Sequence, residues 1–266
     1  MPLSIEVIDM LGRIVKIQKP IQRVVSLVPS QTEFLYELGL KDKIVAQTVF
    51  CVHPKSHYKK ATKIGGTKKI RYEELDELQP DLIICNKEEN NEEIVEVLSA
   101  KYPVWVSDIK NIDDAFYMMR SLAELLDAKS EADDVIKKIT LSLNQKKIRH
   151  QYHCVYLIWR NPFMSVGNDT FINHMLQRSG FNNIIKEKRY PEISSEDLQT
   201  LNPEVVLLSS EPYPFKEKHV EELKTLLPNS KILMVDGELF SWYGSRLLNS
   251  QPYFNELQRQ LHKIKR

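Results

Sequence analysis

The sequence predicts an α/β fold of two lobes with mostly parallel sheets, joined by a long rigid connecting helix. Strand-like apolar runs alternate with helix-like segments in both halves of the 266-residue chain, which is typical of parallel sheets covered by helices. A block of sequence that begins at Glu73 recurs from Glu196, so each half carries the same order of elements. Between the halves, residues 112–149 contain no strand-like run.

The first half begins with a predicted β-hairpin and continues as alternating strands and helices. Apolar and polar residues alternate on both sides of Gly12, which suits a tight turn. One helix is predicted from Ser30, as part of the capping sequence 30–33, to Gly39, and an acidic helix is predicted over 91–100. The predicted strands are 5–9, 14–17, 23–28, 43–48, 81–85 and 103–107.

The middle of the chain is predicted to be helical because apolar residues such as Met118, Leu122 and Leu125 recur at spacings of three and four. Asp127 to Lys129 is a candidate break that would divide this stretch into two helices. Strands resume at 154–159, 204–209 and 231–236. The predicted domains are therefore an N-terminal lobe over 1–111, a helical connector over 112–150 and a C-terminal lobe over 151–266.

The repeated block has the pattern E-x-L-x-x-L-x-P-[DE] and is followed in both halves by an apolar strand. A constant offset of 123 residues places Glu73 on Glu196 and Glu88 on Glu211. After five inserted residues, Val104 falls on Ile232. Duplication of a lobe explains this spacing, and independent use of common α/β patterns is the alternative.

Composition and motifs argue against several functions. The eight glycines form no G-x-G-x-x-G, G-x-x-x-x-G-K-[ST] or G-x-S-x-G, so neither phosphate cradles nor a hydrolase nucleophile elbow is predicted. The net charge is +1, and residues 1–110 carry 16 basic and 16 acidic side chains, so no nucleic-acid partner is expected. No apolar run approaches the roughly 18–20 residues of a membrane span. Cys51, Cys85 and Cys154 are too scattered for a disulfide framework or a four-cysteine zinc site, and no metal site is predicted.

The residues that follow the predicted parallel strands are the candidates for a ligand site, because open α/β sheets bind ligands at that edge. In the second half these positions are unusually aromatic, and neighbouring prolines and glycines restrict their loops. Such a cluster predicts a large, flat or hydrophobic ligand. Gly65 and Gly66 predict close approach of backbone to such a ligand. The aromatic residues are Trp159, Phe163, Tyr213, Phe215, Trp242 and Tyr243.

Catalysis is the alternative interpretation. Cys51 and His53 are the residue types of a thiolate–imidazole pair. The candidate general bases are Glu88, Glu211, Asp236 and Glu238. No third, orienting group stands at a recognisable spacing. We therefore expect a binding protein without an intrinsic cofactor, in which Cys51 is a small buried residue.

Four segments carry a resemblance to a known family. They are R-V-V-S-L-V-P-S-Q-T-E (23–33), F-C-V-H-P (50–54), P-D-L-I-I (80–84) and N-P-F-M-S-V-G-N-D-T-F-I (161–172). Together they resemble the substrate-binding proteins of ABC importers in the helical-backbone metal receptor superfamily, which takes up cobalamin, ferric siderophores and haem. The resemblance is closest to the vitamin B12-binding branch, whose middle motif is usually Y-C-D-Y-P. Phe50 and His53 replace its two tyrosines, so the implied ligand is a cobalamin-like corrinoid or another metal chelate such as a ferric siderophore.

The resemblance implies a class III periplasmic-binding-protein fold, in which two α/β lobes and one long helix form a shallow ligand cleft. It also implies that Glu73 and Glu196 meet arginines of an ABC permease. Alternatively, each glutamate only favours the dipole of the helix that it begins. The expected ligand-binding residues are Phe50, His53, Gly65, Gly66, Trp159, Arg160, Phe163, Glu211, Tyr213, Trp242, Tyr243 and Arg246.

Charged residues also gather at the proposed edge of the second lobe. They would either bind one another as a structural network or engage amide and carboxylate groups at the periphery of a ligand. These residues are Arg160, Glu211, Asp236, Glu238 and Arg246.

The expected partners are a small-molecule metal chelate and an ABC permease, with the protein itself a monomer. The alternative partner set is that of a cytoplasmic relative, which binds a metal cofactor without transport. Residues 1–17 lack the apolar stretch of a signal peptide. The expected location is therefore the cytoplasm if Met1 is the native start, and periplasmic or extracytoplasmic if a leader was removed.

Overall fold

The computed structural model describes residues 3–144 and 151–263, and its internal contacts divide the chain into two compact units. Unit 1 comprises Met1–Ile109, Asp113–Lys137 and Tyr243–Ser245. Unit 2 comprises Lys110–Ile112, Lys138–Trp242 and Arg246–Arg266. The domain boundaries at 111 and 151 stay a prediction, and residues 145–150 of the predicted connector lie outside the described residues.

Unit 1 begins with the predicted hairpin, formed by β1 (Leu3–Ile8) and β2 (Ile14–Lys19). The strands pair antiparallel from Leu3↔Lys19 to Ile8↔Ile14. Gly12 has a φ of +78°, in the left-handed region that glycine adopts without a steric penalty. Alternation along β2 buries Val15 and Ile17, so this hairpin packs through one face.

A four-stranded parallel sheet in the order β4-β3-β5-β6 is the centre of unit 1. Its strands consist largely of buried valine and isoleucine, as expected of parallel strands covered on both faces. All four strands are predicted from the sequence. They are β3 (Val24–Ser26), β4 (Ile44–Gln47), β5 (Leu82–Asn86) and β6 (Val104–Ser107).

The helices of unit 1 alternate with these strands. The prediction that the first helix begins at a capping Ser30 is wrong, because α1 begins at Pro29 and no side chain caps it. Proline suits that position because the first turn of a helix leaves its N–H groups unpaired. These helices are α1 (Pro29–Glu37), α2 (Lys55–Tyr58), α3 (Tyr72–Leu78) and α4 (Glu92–Ser99).

The helical middle of the chain consists of two helices, α5 (Ile112–Leu125) and α6 (Lys129–Leu143). Asp127 separates them with a φ of +60°, a conformation that ends many helices. The Ala128 N–H then donates to the carbonyl of Ala123 at 2.8 Å. The candidate break at Asp127 to Lys129 is therefore present, and it divides the stretch for which the resemblance implies one long helix.

Unit 2 has a sheet in the order β10-β8-β7-β11-β12, and β9 also pairs with β7. Strands β7, β9, β11 and β12 run parallel, whereas β8 and β10 are antiparallel additions. Its strands are β7 (Tyr152–Trp159), β8 (Phe163–Ser165), β9 (Phe181–Asn183), β10 (Glu192–Ile193), β11 (Val205–Ser209) and β12 (Lys231–Val235). Its helices are α7 (Phe171–Arg178), α8 (Ser195–Leu201), α9 (Glu217–Leu226), α10 (Glu238–Ser241) and α11 (Leu247–Lys263). A 3₁₀ turn (Gly244–Arg246) is divided, with Gly244 and Ser245 in unit 1 and Arg246 in unit 2.

The sequence repeat corresponds to a repeated arrangement of elements. Helix α3 and strand β5 recur as α8 and β11 at the offset of 123 residues. Ile83 pairs with Val104 in unit 1, and Val206 pairs with Ile232 in unit 2, as the sequence alignment requires. Both repeated helices are followed by a residue in the left-handed conformation that stands directly before a proline. Gln79 has a φ of 44° and Asn202 has a φ of 42°.

Candidate ligand-binding site

A buried polar network closes the carboxyl ends of the strands in unit 1. The Gln31 side-chain amide donates to Ser107 Oγ at 2.5 Å, and that of Asn86 donates to the same oxygen at 3.0 Å. Asn90 accepts from the Asn86 N–H at 2.9 Å and donates to the Thr67 carbonyl at 3.0 Å. Because these bonds join the loops that follow three strands, they hold the edge of unit 1 in one conformation.

Cys51 is buried beneath this edge of the sheet and is not exposed on its surface. Its Sγ is fully buried, 3.2 Å from the Thr32 hydroxyl and 3.1 Å from the Thr48 hydroxyl. Burial raises the pKa of the Cys51 thiol, so the nucleophilic thiolate is disfavoured. His53 follows half-buried, before a cis bond to Pro54. The expectation that Cys51 is a small buried residue is confirmed.

Phe50 and the Gly65–Gly66 turn, predicted separately as ligand residues, lie together in unit 1. Phe50 is 57% exposed, and a Cβ atom at Gly66 would be only 3.0 Å from its ring. Gly65 has a φ of +117°, where a side chain would overlap the carbonyl oxygen of Lys69. The Gly66 N–H donates to that same oxygen at 2.8 Å. Two glycines are therefore required for this turn and for its contact with an exposed ring.

Three of the predicted aromatic residues in unit 2 form one cluster. Trp159, at the end of β7, is 40% exposed, and its ring lies edge-on to Tyr213 with centroids 5.5 Å apart. Tyr213 in turn contacts Phe215 at 4.8 Å, and Phe215 is buried in the core. Phe163 and Tyr213 are partly buried against that core. The most solvent-exposed ring of the cluster is therefore that of Trp159.

Trp242 and Tyr243 are both buried. The Trp242 indole N–H donates to Glu211 Oε1 at 2.9 Å, and the Ser241 hydroxyl donates to the same oxygen at 2.9 Å. A Cβ atom at Gly237 would lie 2.7 Å from the Glu211 side chain, so glycine at this position leaves the room that the Glu211 side chain occupies. Tyr243 belongs to unit 1, and burial raises the pKa of its hydroxyl.

The predicted cations of unit 2 have carboxylate partners within the same unit. Arg160 donates to both oxygens of Glu222, at 2.5 and 2.6 Å. Arg246 lies 3.4 Å from Glu238, and its guanidinium stacks 5.2 Å from the centre of the Trp242 ring. Arg246 and Glu238 therefore pair with each other, as the first of the two predicted arrangements requires, whereas Arg160 pairs outside the predicted set. Contact of these charges with a ligand stays a prediction. The role of Glu222 was missed because 62 residues separate it from Arg160.

Glu73 and Glu196 occupy equivalent places in the first turns of α3 and α8, and both are exposed. Their sequence neighbours are engaged, since Glu74 pairs with Arg71 and Asp197 completes a capping box. Within residues 3–144 and 151–263, neither the Glu73 nor the Glu196 carboxylate forms an ion pair. Each repeat therefore exposes one negative charge to solvent at the equivalent position.

The part of the chain that the structure describes holds no group of three or more His, Cys, Asp or Glu side chains suited to a metal ion. No helix in the same residues has both the length and the apolar character for crossing a membrane.

Residues 24–226 match the sequence pattern of the periplasmic binding protein family. The chain belongs to this family. One relative is the uncharacterized ABC transporter substrate-binding lipoprotein YvrC of Bacillus subtilis, which is 26% identical over 93% of this chain and 82% of its own length. The predicted family and α/β fold class are thereby confirmed.

Solved structures show the same fold. The periplasmic vitamin B12-binding protein BtuF of Vibrio cholerae superposes with a TM-score of 0.77, at 19% identity over 92% of this chain and 99% of that one. The periplasmic haem-binding protein RhuT of Roseiflexus sp. RS-1 superposes with a TM-score of 0.75, at 18% identity over 89% of this chain and 98% of that one.

Proposed function

We propose that this periplasmic binding protein is the substrate-binding component of an ABC importer and that it captures a bulky metal chelate without catalysing a reaction. A relative named as an ABC transporter substrate-binding lipoprotein supports the transport role. The vitamin B12-binding and haem-binding neighbours support a corrinoid, haem or ferric siderophore as ligand.

The observation that supports this class of ligand is the exposure of two aromatic side chains at predicted ligand positions. Phe50 in unit 1 keeps 57% of its surface accessible against the Gly65–Gly66 turn, and Trp159 in unit 2 keeps 40% accessible at the end of β7. An aromatic ring that is already ordered gains contact area with a flat ligand at low conformational cost. The Cys51 thiol is buried and burial raises its pKa, so it gives the alternative of an enzyme no support.

A panel of chelates tests this function. Binding of cyanocobalamin, haemin, a ferric hydroxamate and a ferric catecholate is followed by tryptophan fluorescence and by thermal unfolding. Trp159 reports contact directly because its indole is exposed. A ligand at 100 times its dissociation constant adds about 2.7 kcal/mol to the free energy of unfolding. We expect at least one chelate to quench the fluorescence and raise the Tm, and a panel without any response overturns the proposal.

A further inference from the structure

A long stretch of unit 1 carries positive charge without any acidic residue. From Lys43 to Tyr72 the sequence has seven lysines, one arginine and no aspartate or glutamate. The balance of 16 basic and 16 acidic residues over 1–110 conceals this local excess. Phe50, Gly65 and Gly66 all lie inside the stretch. A concentrated charge of one sign raises the local concentration of oppositely charged small molecules.

The turn from Gly65 to Ile70 contains two of these lysines, and it places the backbone of Lys69 beside Gly66, at the exposed Phe50 ring. Gly66 lies against the ring, and its N–H donates to the Lys69 carbonyl at 2.8 Å. Lys68 is held in place, because its Nζ donates to the Glu88 carbonyl at 2.6 Å and it attracts the Glu89 carboxylate. The Lys69 side chain is exposed, and no residue in the described ranges binds its ammonium group.

The arginines predicted as ligand-binding residues in unit 2 are engaged already. Arg160 is bound by both oxygens of Glu222, and Arg246 is held between Glu238 and the Trp242 ring. A ligand that used either arginine would have to displace a carboxylate from it. Lys69 differs from these two arginines, because a ligand can reach its ammonium group without displacing a carboxylate.

We infer that the ligand is an anionic chelate, whose flat or aromatic surface lies on Phe50 and whose carboxylate or other oxyanion is bound by Lys69. The inference rests on the proposed function and narrows its ligand class. A neutral ligand whose periphery consists of amides gains little from an ammonium group, whereas an oxyanion forms a charge-assisted hydrogen bond with it. The lysines of the basic stretch then attract the anion from solution, with a strength that falls as salt rises, whereas the charge of Arg71 is offset by its ion pair with Glu74.

The effect of ligand charge on affinity is tested with matched pairs of an acid and its neutral derivative. Haemin, with two carboxylates, is compared with its dimethyl ester, and cyanocobalamin is compared with the monocarboxylic acid made by hydrolysing one peripheral amide. Dissociation constants are measured by fluorescence for the unaltered protein and for the Lys69→Gln variant. Lys60→Gln is the control, because Lys60 is an exposed lysine of the same basic stretch outside the turn. Circular dichroism and the Tm establish that all three proteins are folded.

We expect the acid of at least one pair to bind more tightly than its neutral counterpart. Lys69→Gln should weaken binding of that acid by about tenfold, near the lower end for loss of a hydrogen bond to a charged group, and should leave binding of the neutral partner unchanged. Lys60→Gln should change neither affinity. Raising NaCl from about 50 mM to about 500 mM, which shortens the Debye length about threefold, should weaken binding of the acid alone.

The outcomes separate the inference from the proposed function. Equal affinities within each pair, or a Lys69→Gln variant that binds the acid as the unaltered protein does, overturn the anionic-ligand inference while the binding function stands. Failure of every ligand here and in the wider chelate panel overturns the proposed function together with the inference.

Discussion

Phe50 and Trp159 keep large parts of their rings in water, although burial of an aromatic side chain favours folding by about 1.5–3 kcal/mol. Single exposed aromatics occur on many soluble proteins, so exposure alone identifies no site. Here the Phe50 ring also rests on a glycine turn whose backbone leaves no room for another side chain. That combination of a supported ring and an open face is what suits it to stack on a ligand.

Replacement of Phe50 by alanine should therefore damage binding and spare folding. We expect Phe50→Ala to raise the dissociation constant of the preferred chelate by about tenfold, as loss of an aromatic anchor does, and to leave the Tm within a degree or two of the unaltered protein. Tyr117→Ala is the matched control, because Tyr117 is 53% exposed on α5. Equal loss of affinity in both variants would contradict a specific role for Phe50.

All three cysteines are buried and chemically protected. Burial raises the pKa of Cys51 and Cys154, and raises that of Cys85 to about 12. Thiol reagents attack the thiolate, whose fraction at pH 8 falls as the pKa rises above that value. We expect no rapid thiol release with Ellman's reagent at pH 8 in the native state, and about three equivalents after denaturation in urea. One fast native equivalent, removed by Cys51→Ala, would revive the catalytic interpretation.

The turn at Gly65 shows how one backbone position determines an element. Alanine there would adopt an unfavourable φ and overlap the Lys69 carbonyl, whereas Gly39 at the end of the first helix has a positive φ but open space around it. We expect Gly65→Ala to lower the free energy of unfolding by about 2–3 kcal/mol, and Gly39→Ala by about 1 kcal/mol. Urea unfolding measures both. Similar losses in the two variants would show that the predicted overlap with Lys69 does not occur.

Helices and strands were largely predictable because their signals are local. Strands β3, β5 and β11 read as short buried apolar runs, and α4 reads as an amphipathic helix. Two- and three-residue strands such as β8 and β10 have no periodicity to detect. They form only because β7 offers an edge to β8, and β8 in turn offers an edge to β10. The start of α1 was misplaced because Ser30 has the residue type of a cap, while Pro29 sets where the helix begins.

In the whole molecule, Glu73 and Glu196 are the residues through which we propose that this substrate-binding protein meets its permease. Their equivalent places in the two repeats and their lack of ion pairs among the described residues support that role. Stabilisation of the helix dipole is the competing explanation. The two explanations differ in what they predict, because a dipole effect changes stability and docking does not.

Docking is tested with the protein, its ligand and the permease reconstituted together. We expect Glu73→Ala with Glu196→Ala to reduce ligand-stimulated ATP hydrolysis by about tenfold, the scale of losing two charged contacts at an interface, while ligand affinity stays unchanged. Glu93→Ala is the control, because Glu93 stands exposed in the first turn of α4 and contributes the same dipole effect. Unchanged ATP hydrolysis with a lower Tm would favour the dipole explanation.

The sequence alone was sufficient for the family, the α/β class, the repeat and the aromatic and glycine character of the candidate site. Those properties depend on residue type and on spacing over a few turns of chain. Tertiary structure decided which charges are engaged: Arg160 meets Glu222 across 62 residues, and Glu211 meets Trp242 across 31. Such partners are set by how elements pack, and no local pattern encodes that packing. For the same reason, only the folded turn placed the Lys69 backbone beside Gly66, which lies against the Phe50 ring.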